Sequence, residues 1–197
     1  MSREPTETDV RRRLIEVAAD ILSEEGPAAL SARRLARDAG TSTMAVYTHF
    51  GGMPALVRAV VAEGFARLYD RVAEVEPSDD PLADLVASAV AYRAHALADP
   101  HLFSVMFGSA SLGKYRLTTE ELEVGLAAFD QLADIVARVM AAGAIRPGDP
   151  RAVAGQFWAA LHGYVMIEIS GLSHVVEDPE AEILQPLLAN LLTALAP

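Results

Sequence analysis

Residues Gly40–Phe50 read G-T-S-T-M-A-V-Y-T-H-F, and this stretch decides how the rest of the chain is interpreted. Gly40 follows a short arginine-rich run with helical spacing, and glycine readily ends such a helix in a left-handed conformation. Ser42 is a good N-cap for a second short helix, because its side-chain oxygen accepts hydrogen bonds from the first free amides. The stretch therefore predicts a helix-turn-helix, a motif whose second helix lies in the major groove of DNA.

Residue chemistry alone leaves two interpretations of this stretch equally open. If the second helix reads DNA, hydroxyl groups such as those of Ser42 and Tyr47 donate to phosphates, while Met44 and Ala45 contact thymine methyl groups or the groove floor. If the stretch is an ordinary helical hairpin, Tyr47 and Phe50 are aromatic residues of the core.

The composition of the chain limits its class. A length of 197 residues is enough for one large or two small domains. Apolar residues make up 52% of the chain, which is enough for a buried core. The absence of cysteine excludes a disulfide framework, a thiol nucleophile and a cysteine-based zinc site. The net charge is −11, but residues 1–75 carry 10 arginines against 11 acidic residues, and the arginines cluster at 11–13 and 33–37. Local clustering sets the field that a phosphate feels, so the charge permits DNA binding without requiring it.

No targeting, membrane or catalytic signature is found in the sequence. The first residues are acidic as well as basic and lack an apolar run, which argues against a signal peptide. The most apolar window, 154–172, contains Gln156, His162 and Glu168, so a buried helix explains it better than a membrane span. The histidines are scattered, and no phosphate-binding glycine motif or nucleophile elbow occurs. We therefore expect a cytoplasmic protein with no metal, no cofactor and no catalytic residues.

Helical spacing, with no alternating strand pattern, predicts an all-α chain. Four Asp-Pro pairs support this prediction, because Asp is a strong N-cap and Pro is favoured in the first turn of a helix. The polar run Glu76–Asp80 is interpreted as a linker and as the clearest domain boundary. Nine helices are predicted, at about residues 9–25, 31–39, 42–49, 54–75, 81–98, 100–107, 119–142, 150–171 and 179–195.

The last two predicted helices are apolar on more than one face. A terminal helix of this kind needs partners on two sides, and one of these is its own domain. We expect the other to be a second copy of the chain, in a symmetric four-helix interface. The expected dimer-interface residues are Phe157, Leu161, Leu184, Leu187, Leu188, Leu191, Leu192 and Leu195.

An ordered set of residues between about 10 and 60 matches a known family pattern. The pattern A-G-V-S-x-G-x-L-Y-x-H-F is met at 39–50 as A-G-T-S-T-M-A-V-Y-T-H-F, with Thr41 and Met44 as departures. A lysine that usually follows and binds a phosphate is missing from Gly51–Pro54. The chain thus resembles the tetracycline-repressor (TetR) family of bacterial transcription regulators. The other residues that carry the resemblance are Ile15, Ala18, Ala19, Ile21, Leu22, Gly26, Ser31, Leu35, Ala36 and Leu56.

The resemblance implies a helix-turn-helix DNA-binding domain at residues 1–52 and a helical ligand-sensing and dimerisation domain at residues 53–197. It also implies a homodimer on a pseudo-palindromic, double-stranded operator and a small-molecule effector. The residues expected at the DNA are Ser31, Arg33, Thr43, Tyr47 and His49 for the backbone, and Thr43, Met44 and Ala45 for the bases, with Ser42 as a further donor to phosphate.

A second resemblance lies about 100 residues further on, where Trp158, His162 and Gly163 match the W-x-x-x-H-G spacing of one TetR subfamily. Trp158 and His162 share one helix face, because they are four residues apart. They either line a ligand cavity or form a packed core pair, with Gly163 letting another helix approach closely. We favour the packed core pair. The family resemblance implies a ligand cavity among the later helices. The candidate ligand-binding residues are Phe65, Tyr69, Tyr92, His95, Phe103, Phe107, Phe129, Trp158 and His162.

These observations lead to one leading hypothesis and one alternative. The leading hypothesis is a dimeric DNA-binding transcription regulator, a repressor released from its operator by a small, mostly apolar molecule. Ligand would favour a pose of the helix at 54–75 that changes the separation of the two readers from the roughly 34–36 Å that DNA requires. The alternative is an all-helical small-molecule binding protein or enzyme without DNA binding, which the acidic net charge mildly favours.

Overall fold

A computed structural model of the chain describes residues 7–107 and 119–197. Every regular element in these ranges is helical, which confirms the predicted all-α class. The α-helices are, in chain order, α1 (Glu7–Glu24), α2 (Ala32–Asp38), α3 (Thr43–Phe50), α4 (Met53–Ala73), α5 (Pro81–Ala98), α6 (Pro100–Phe107), α7 (Thr119–Ala141), α8 (Pro150–Ile169) and α9 (Gln185–Ala194).

The described residues divide into two compact units. The first unit comprises residues 7–66, 99–107 and 119–125, and the second comprises residues 67–98 and 126–197. Helices α4 and α7 therefore each begin in the first unit and end in the second. The division after residue 52 into a reader and a sensing domain is a functional one, and it stays a prediction.

Helices α1, α2, α3 and α6 all contribute to the core of the first unit. Leu14 of α1, Leu35 of α2, Val46 of α3 and Phe103 of α6 are completely buried. Full burial of an apolar side chain of this size contributes about 1.5–3 kcal/mol, from which the conformational entropy lost on folding must be subtracted. Because α6 packs on α1, and α1 packs on both α2 and α3, this core holds the two helices of the predicted helix-turn-helix in place.

The second unit holds α5 and α8 together by a charge-assisted contact as well as by apolar packing. Arg93 of α5 donates to both carboxylate oxygens of Glu168 on α8, at 2.8 and 2.6 Å. At the other end of the unit, the Arg146 N–H donates to the Leu195 carbonyl at 2.7 Å and anchors the end of α9. Held together in this way, α5 carries Tyr92, and α8 carries Trp158 and His162.

The polar run Glu76–Asp80 lies inside the second unit, so its interpretation as a domain boundary is wrong. The buried Asp84 carboxylate accepts hydrogen bonds from the Ser78 hydroxyl at 2.6 Å and the Ser78 N–H at 3.0 Å. Arg138 of α7 pairs with the same carboxylate at 2.8 Å. The bonds from Ser78, followed by Arg138, lower the pKa of Asp84. The run is therefore a fastened turn between α4 and α5.

The last predicted helix is interrupted in its first turn. Residues Glu180–Leu184 form a π-helical turn that leads directly into α9, and the Gln185 N–H bonds to the Glu180 carbonyl. Pro186 follows at once, and a proline has no N–H to donate and crowds the carbonyl one turn before it. A wider turn at this point accommodates the proline without ending the helical path.

Candidate nucleic-acid interface and ligand cavity

The turn between α2 and α3 requires a glycine. Gly40 has φ +68°, a conformation that side chains bearing a Cβ rarely adopt. Around it, the Thr41 N–H donates to the Ala36 carbonyl at 2.8 Å and the Gly40 N–H donates to the Arg37 carbonyl at 3.2 Å. These two bonds form a Schellman motif, which satisfies the last carbonyls of α2 and turns the chain sharply into α3.

Serine caps open both helices of the motif. The Ser31 oxygen accepts from the Arg34 N–H at 3.3 Å, and the Ser42 oxygen accepts from the Ala45 N–H at 3.2 Å. Both caps were expected from the sequence, and both serines are exposed. Because each oxygen is used as an acceptor, the hydroxyl hydrogen is still available to donate to an acceptor outside the protein.

Helix α3 buries one face and exposes large side chains on the other. Val46 is its single fully buried residue, whereas Met44 and Tyr47 are 68% and 54% exposed. Thr43 is also exposed, and Ala45 and His49 are half-buried. The alternative in which Tyr47 is a core residue is therefore wrong. An exposed Met and Tyr one turn apart on a short, doubly capped helix form a surface that can contact bases and phosphates.

Most of the clustered arginines are engaged within the protein. Arg34 forms ion pairs with Glu25 and Asp38, and Arg37 pairs with Asp38 at 2.7 Å. The hydrogen bond from Arg37, followed by that from Arg34, lowers the pKa of Asp38. Arg33 is exposed and forms no ion pair with any residue in the described ranges. Of the arginines in α2, Arg33 is thus the one most available to a phosphate.

A cavity of about 70 Å³ lies within the second unit. Its lining is almost entirely apolar, and Val86 and Trp158 in that lining are 54% and 38% exposed, so the cavity reaches the surface of the unit. The described residues that line it are Val72, Leu85, Val86, Ser88, Ala89, Tyr92, Ala128, Leu132, Phe157, Trp158, Leu161, Leu188 and Leu192.

A chain of hydrogen bonds lies at one wall of this cavity. Trp158 Nε1 donates to the Tyr92 hydroxyl oxygen at 3.3 Å, and the same hydroxyl lies 2.9 Å from Nδ1 of His162. Burial lowers the pKa of His162, because the charged imidazolium loses its hydration there. Burial also raises the pKa of Tyr92, and the Trp158 bond opposes this in part. At neutral pH both side chains are therefore uncharged.

The predicted ligand-binding residues separate into three groups. Tyr92 and Trp158 line the cavity, His162 bonds to Tyr92, and Phe129 packs edge-on against Trp158 at 6.1 Å. Tyr69 and His95 also belong to the second unit but do not line the cavity. The remaining three lie in the first unit, where the half-buried Phe107 ring packs against the buried rings of Phe65 and Phe103, with centroids 5.3 and 4.9 Å apart.

Trp158 and His162 form the predicted packed pair, but Trp158 is 38% exposed, so the pair does not lie in the core. Their rings pack with centroids 5.5 Å apart, and Trp158 also lines the cavity. The sequence analysis did not identify Val72 or Leu85, because these apolar residues have no signal that separates a cavity wall from ordinary core.

Several predicted dimer-interface residues are already covered within one protomer. Phe157, Leu161, Leu184 and Leu195 are buried in it, and Leu187, Leu188, Leu191 and Leu192 are partly buried. Phe157, Leu161, Leu188 and Leu192 line the cavity. Another set of α8 residues lies on one side of the helix and is exposed, apart from the half-buried Gly163; we call it the outer face of α8, and its members are Ala152, Gln156, Ala159, Gly163 and Ile167.

Two further features bear on what the chain can do. No helix in the described ranges has the length and apolarity needed to cross a membrane. Within the same ranges, no three His, Asp or Glu side chains gather in a way that could hold a metal ion.

Comparison with known proteins gives matches at both ends of the chain. A family model described as "Bacterial regulatory proteins, tetR family" matches residues 14–60, and one described as "Tetracyclin repressor-like, C-terminal domain" matches residues 85–191. An HTH-type transcriptional regulator of Mycobacterium tuberculosis is 25% identical over 226 aligned residues, covering 95% of this chain and 96% of that protein.

Solved structures show the same fold. A protein of unknown function from Rhodococcus sp. RHA1 aligns with a TM-score of 0.78 and 30% identity, covering 95% of this chain and 96% of that one. The fatty acid degradation regulator FadR from Bacillus halodurans aligns with a TM-score of 0.77 and 16% identity, covering 98% of this chain and 97% of that one. At the latter identity the likeness concerns the fold alone.

Proposed function

Because this chain belongs to the TetR family of bacterial transcriptional regulators, we propose that α3 reads a pseudo-palindromic operator and that a small, mostly apolar molecule in the cavity of the second unit releases it. The chain is a DNA-binding helix-turn-helix regulator, and ligand-responsive repression is typical of its family. Members of this family are generally not enzymes, and we propose no catalytic role for this chain.

The exposed face of α3 is the observation that carries the DNA-binding proposal. A monomeric soluble protein gains nothing by exposing Met44 and Tyr47 on a helix that Val46 alone anchors, unless that face meets a partner. In the proposed complex the phosphates are contacted by Ser31, Arg33, Ser42, Thr43, Tyr47 and His49, and the bases by Thr43, Met44 and Ala45.

Charge makes the proposed interface unusual. With Arg34 and Arg37 held by carboxylates, Arg33 is the main cation of α2, and the other proposed donors are uncharged hydroxyl groups and the imidazole of His49. Gly51–Pro54, between α3 and the first turn of α4, contains no lysine, so the free backbone amides at the start of α4 take the place of a charged side chain at that phosphate. Each cation–phosphate contact that is absent lowers the salt dependence of binding by about one unit of slope.

Dimerisation supplies the second reader. We place the interface on the outer face of α8 together with α9, because four of the five residues of that face are small or apolar and the leucines of α9 are only partly covered within a protomer. Two readers held about 34–36 Å apart face successive turns of the major groove. The half-buried leucines of α9, namely Leu187, Leu188, Leu191 and Leu192, are the side chains that a second copy would cover further.

The cavity supplies the effector site. Helix α4 runs from Met53 to Ala73 and so belongs partly to each unit, and its Val72 lines the cavity. A ligand that prefers one pose of α4 would shift the population of reader separations and weaken operator binding, whereas a ligand without such a preference would have no effect. We also propose that the chain belongs to the W-x-x-x-H-G subfamily. The contacts of Trp158 and His162 with Tyr92 support this part of the proposal.

Tyr47→Ala tests the proposal. The experiment is an electrophoretic mobility shift at low salt, with DNA that flanks the chain's own gene. We expect loss of the ring and hydroxyl to weaken binding at least tenfold, since a hydrogen bond to a charged group contributes about 1.5–3 kcal/mol. The fold is spared because Tyr47 is exposed. Tyr69→Ala is the matched control, because it removes the same atoms from an exposed helical position in the second unit.

Two outcomes would count against the proposal. If Tyr47→Ala binds as tightly as the unaltered chain, α3 does not dock as described. If the unaltered chain shifts none of the flanking DNA, with or without small molecules, the alternative of an all-helical small-molecule binding protein without a role at that DNA becomes the better account.

A further inference from the structure

Met44 is the only exposed residue of α3 whose side chain has no hydroxyl group. Its side chain is 68% exposed, whereas the other exposed residues of this helix are Thr43, Tyr47 and Thr48. The branched apolar residue Val46 is completely buried and faces away from any partner. An apolar contact of α3 with thymine methyl groups or base edges in the major groove therefore depends mainly on the thioether side chain of Met44.

The sulfur of this chain is present only as thioether. The sequence contains six methionines and no cysteine, so no thiol of the protein competes with methionine for an oxidant. Among the methionines that the structure describes, Met44 is the exposed one. The others are buried or half-buried, and they are Met53, Met106, Met140 and Met166. Because oxidation follows accessibility, Met44 is the preferred target within this set.

Oxidation changes what this side chain can do in the groove. When hypochlorous acid oxidises a thioether, an S–O bond forms, sulfur gives up two electrons, and the chlorine of the oxidant leaves as chloride together with a proton. The sulfoxide is polar and carries a strong acceptor oxygen. The major-groove edges of the base pairs present more acceptors than donors. A sulfoxide oxygen at this place thus loses hydration without a general partner, which opposes binding.

We propose that Met44 is an oxidation switch in the reading helix. Conversion of its thioether to a sulfoxide weakens operator binding, and a thiol-driven methionine sulfoxide reductase, which removes the oxygen as water, restores it. This inference rests on the proposed function, in which α3 reads an operator. It adds a modification site and a second input beside the molecule in the cavity. The signal arises at the interface itself, so it needs no change in the pose of α4.

The expected effect is doubled by the symmetry of the proposed dimer. Each protomer carries one Met44, so both half-sites of the operator lose the apolar contact when both side chains are oxidised. We expect the dissociation constant for DNA to rise at least about tenfold, because the apolar burial of one methionine side chain is lost at each half-site.

The experiment compares treated and untreated protein. The chain is exposed to hypochlorous acid in slight molar excess and quenched with free methionine, and peptide mass mapping locates the added oxygen atoms. Fluorescence anisotropy with labelled DNA that flanks the chain's own gene gives the dissociation constants. We expect oxygen at Met44 before the other described methionines, together with the weakened binding. Incubation with methionine sulfoxide reductases for both sulfoxide epimers returns the untreated affinity.

Three variants separate oxidation of Met44 from damage elsewhere. Met44→Leu removes the sulfur and keeps an apolar side chain of similar volume, so its affinity does not change on treatment, relative to its own untreated value. Met44→Gln introduces a polar side chain without any oxidant and binds at least about tenfold more weakly than Met44→Leu. Met140→Leu is the matched control, because it removes a half-buried methionine of the second unit and keeps the full response to treatment.

Several outcomes would overturn the inference. They are faster oxidation of another described methionine, a loss of affinity that treatment also produces in Met44→Leu, a response that disappears in Met140→Leu, and equal binding by Met44→Gln and Met44→Leu. If the untreated chain binds the flanking DNA and oxidised Met44 leaves that binding unchanged, the inference fails and the proposed function stands. If the untreated chain binds none of that DNA, both fail together.

Discussion

Replacing Gly163 with alanine separates the stability of the protomer from the strength of the dimer. Gly163 lies within α8, and no heavy atom beyond its own stretch of helix lies within 4 Å of the position that a Cβ would take. In the protomer the new methyl group meets nothing, while the unfolded chain loses backbone freedom. We therefore expect the free energy of unfolding of the protomer to rise by about 0.5–1 kcal/mol.

The same methyl group acts in the opposite direction at the proposed dimer interface. The outer face of α8 has small residues at Ala152, Ala159 and Gly163, over which a partner helix can approach closely. Adding a methylene-sized group to a close-packed contact costs about 1–3 kcal/mol. The dissociation constant of the dimer is then expected to rise by about five- to 150-fold.

Two measurements on two variants test this expectation. Sedimentation equilibrium gives the dissociation constant of the dimer, and urea unfolding at a series of protein concentrations separates protomer stability from association. Gly155→Ala is the matched control, because the space around Gly155 is equally open and it lies about 80° around the helix from Gly163. The control is expected to gain protomer stability and to keep its dimer.

The outcome that would refute the reasoning is specific. If Gly163→Ala dimerises as tightly as the unaltered chain, or if Gly155→Ala loses as much affinity as Gly163→Ala, the interface does not use the outer face of α8. A protomer destabilised by Gly163→Ala would instead show that the space around this glycine is occupied.

Two further predictions concern charge. Arg33→Ala is expected to reduce the slope of log binding constant against log salt concentration by about one unit. Arg37→Ala is expected to change this slope less, because Asp38 already holds the Arg37 side chain. Fluorescence anisotropy with labelled operator measures both slopes, and equal slopes for the two variants would contradict the assignment. Burial lowers the pKa of His162 below its ordinary 6.5, so as the pH falls the imidazole takes up its proton in the unfolded chain before it does so in the folded chain. The stability that the neutral ring contributes is therefore present above about pH 6.5. It is lost as the pH falls through the lowered pKa. Urea midpoints between about pH 7.5 and 5.5 are expected to fall less in His162→Gln than in the unaltered chain, and parallel curves would rule this out.

Local chemistry explains why the helices and the turn could be read from the sequence. Ser31 and Ser42 cap α2 and α3 as expected, and Gly40 adopts the left-handed conformation that ends α2. A cap involves residues three apart, and a helical face repeats every three or four residues, so neither depends on distant parts of the chain. The same locality limited the reading of residues 76–80, where the Ser78 bonds to Asp84 span six residues and a further partner, Arg138, comes from another helix.

The sequence by itself therefore determined the all-α class, the helix-turn-helix at α2 and α3, and the family. The tertiary structure decided which apolar faces are covered. It buried Phe157 and Leu161 beside a cavity, left the outer face of α8 exposed, and brought Tyr92 within 2.9 Å of His162, 70 residues away. It also paired Arg34 and Arg37 with carboxylates and left Arg33 exposed, without an ion pair to any described residue. Periodicity shows that a face is apolar or charged, but the residue that covers or neutralises it lies on another element, and only packing in three dimensions selects that residue.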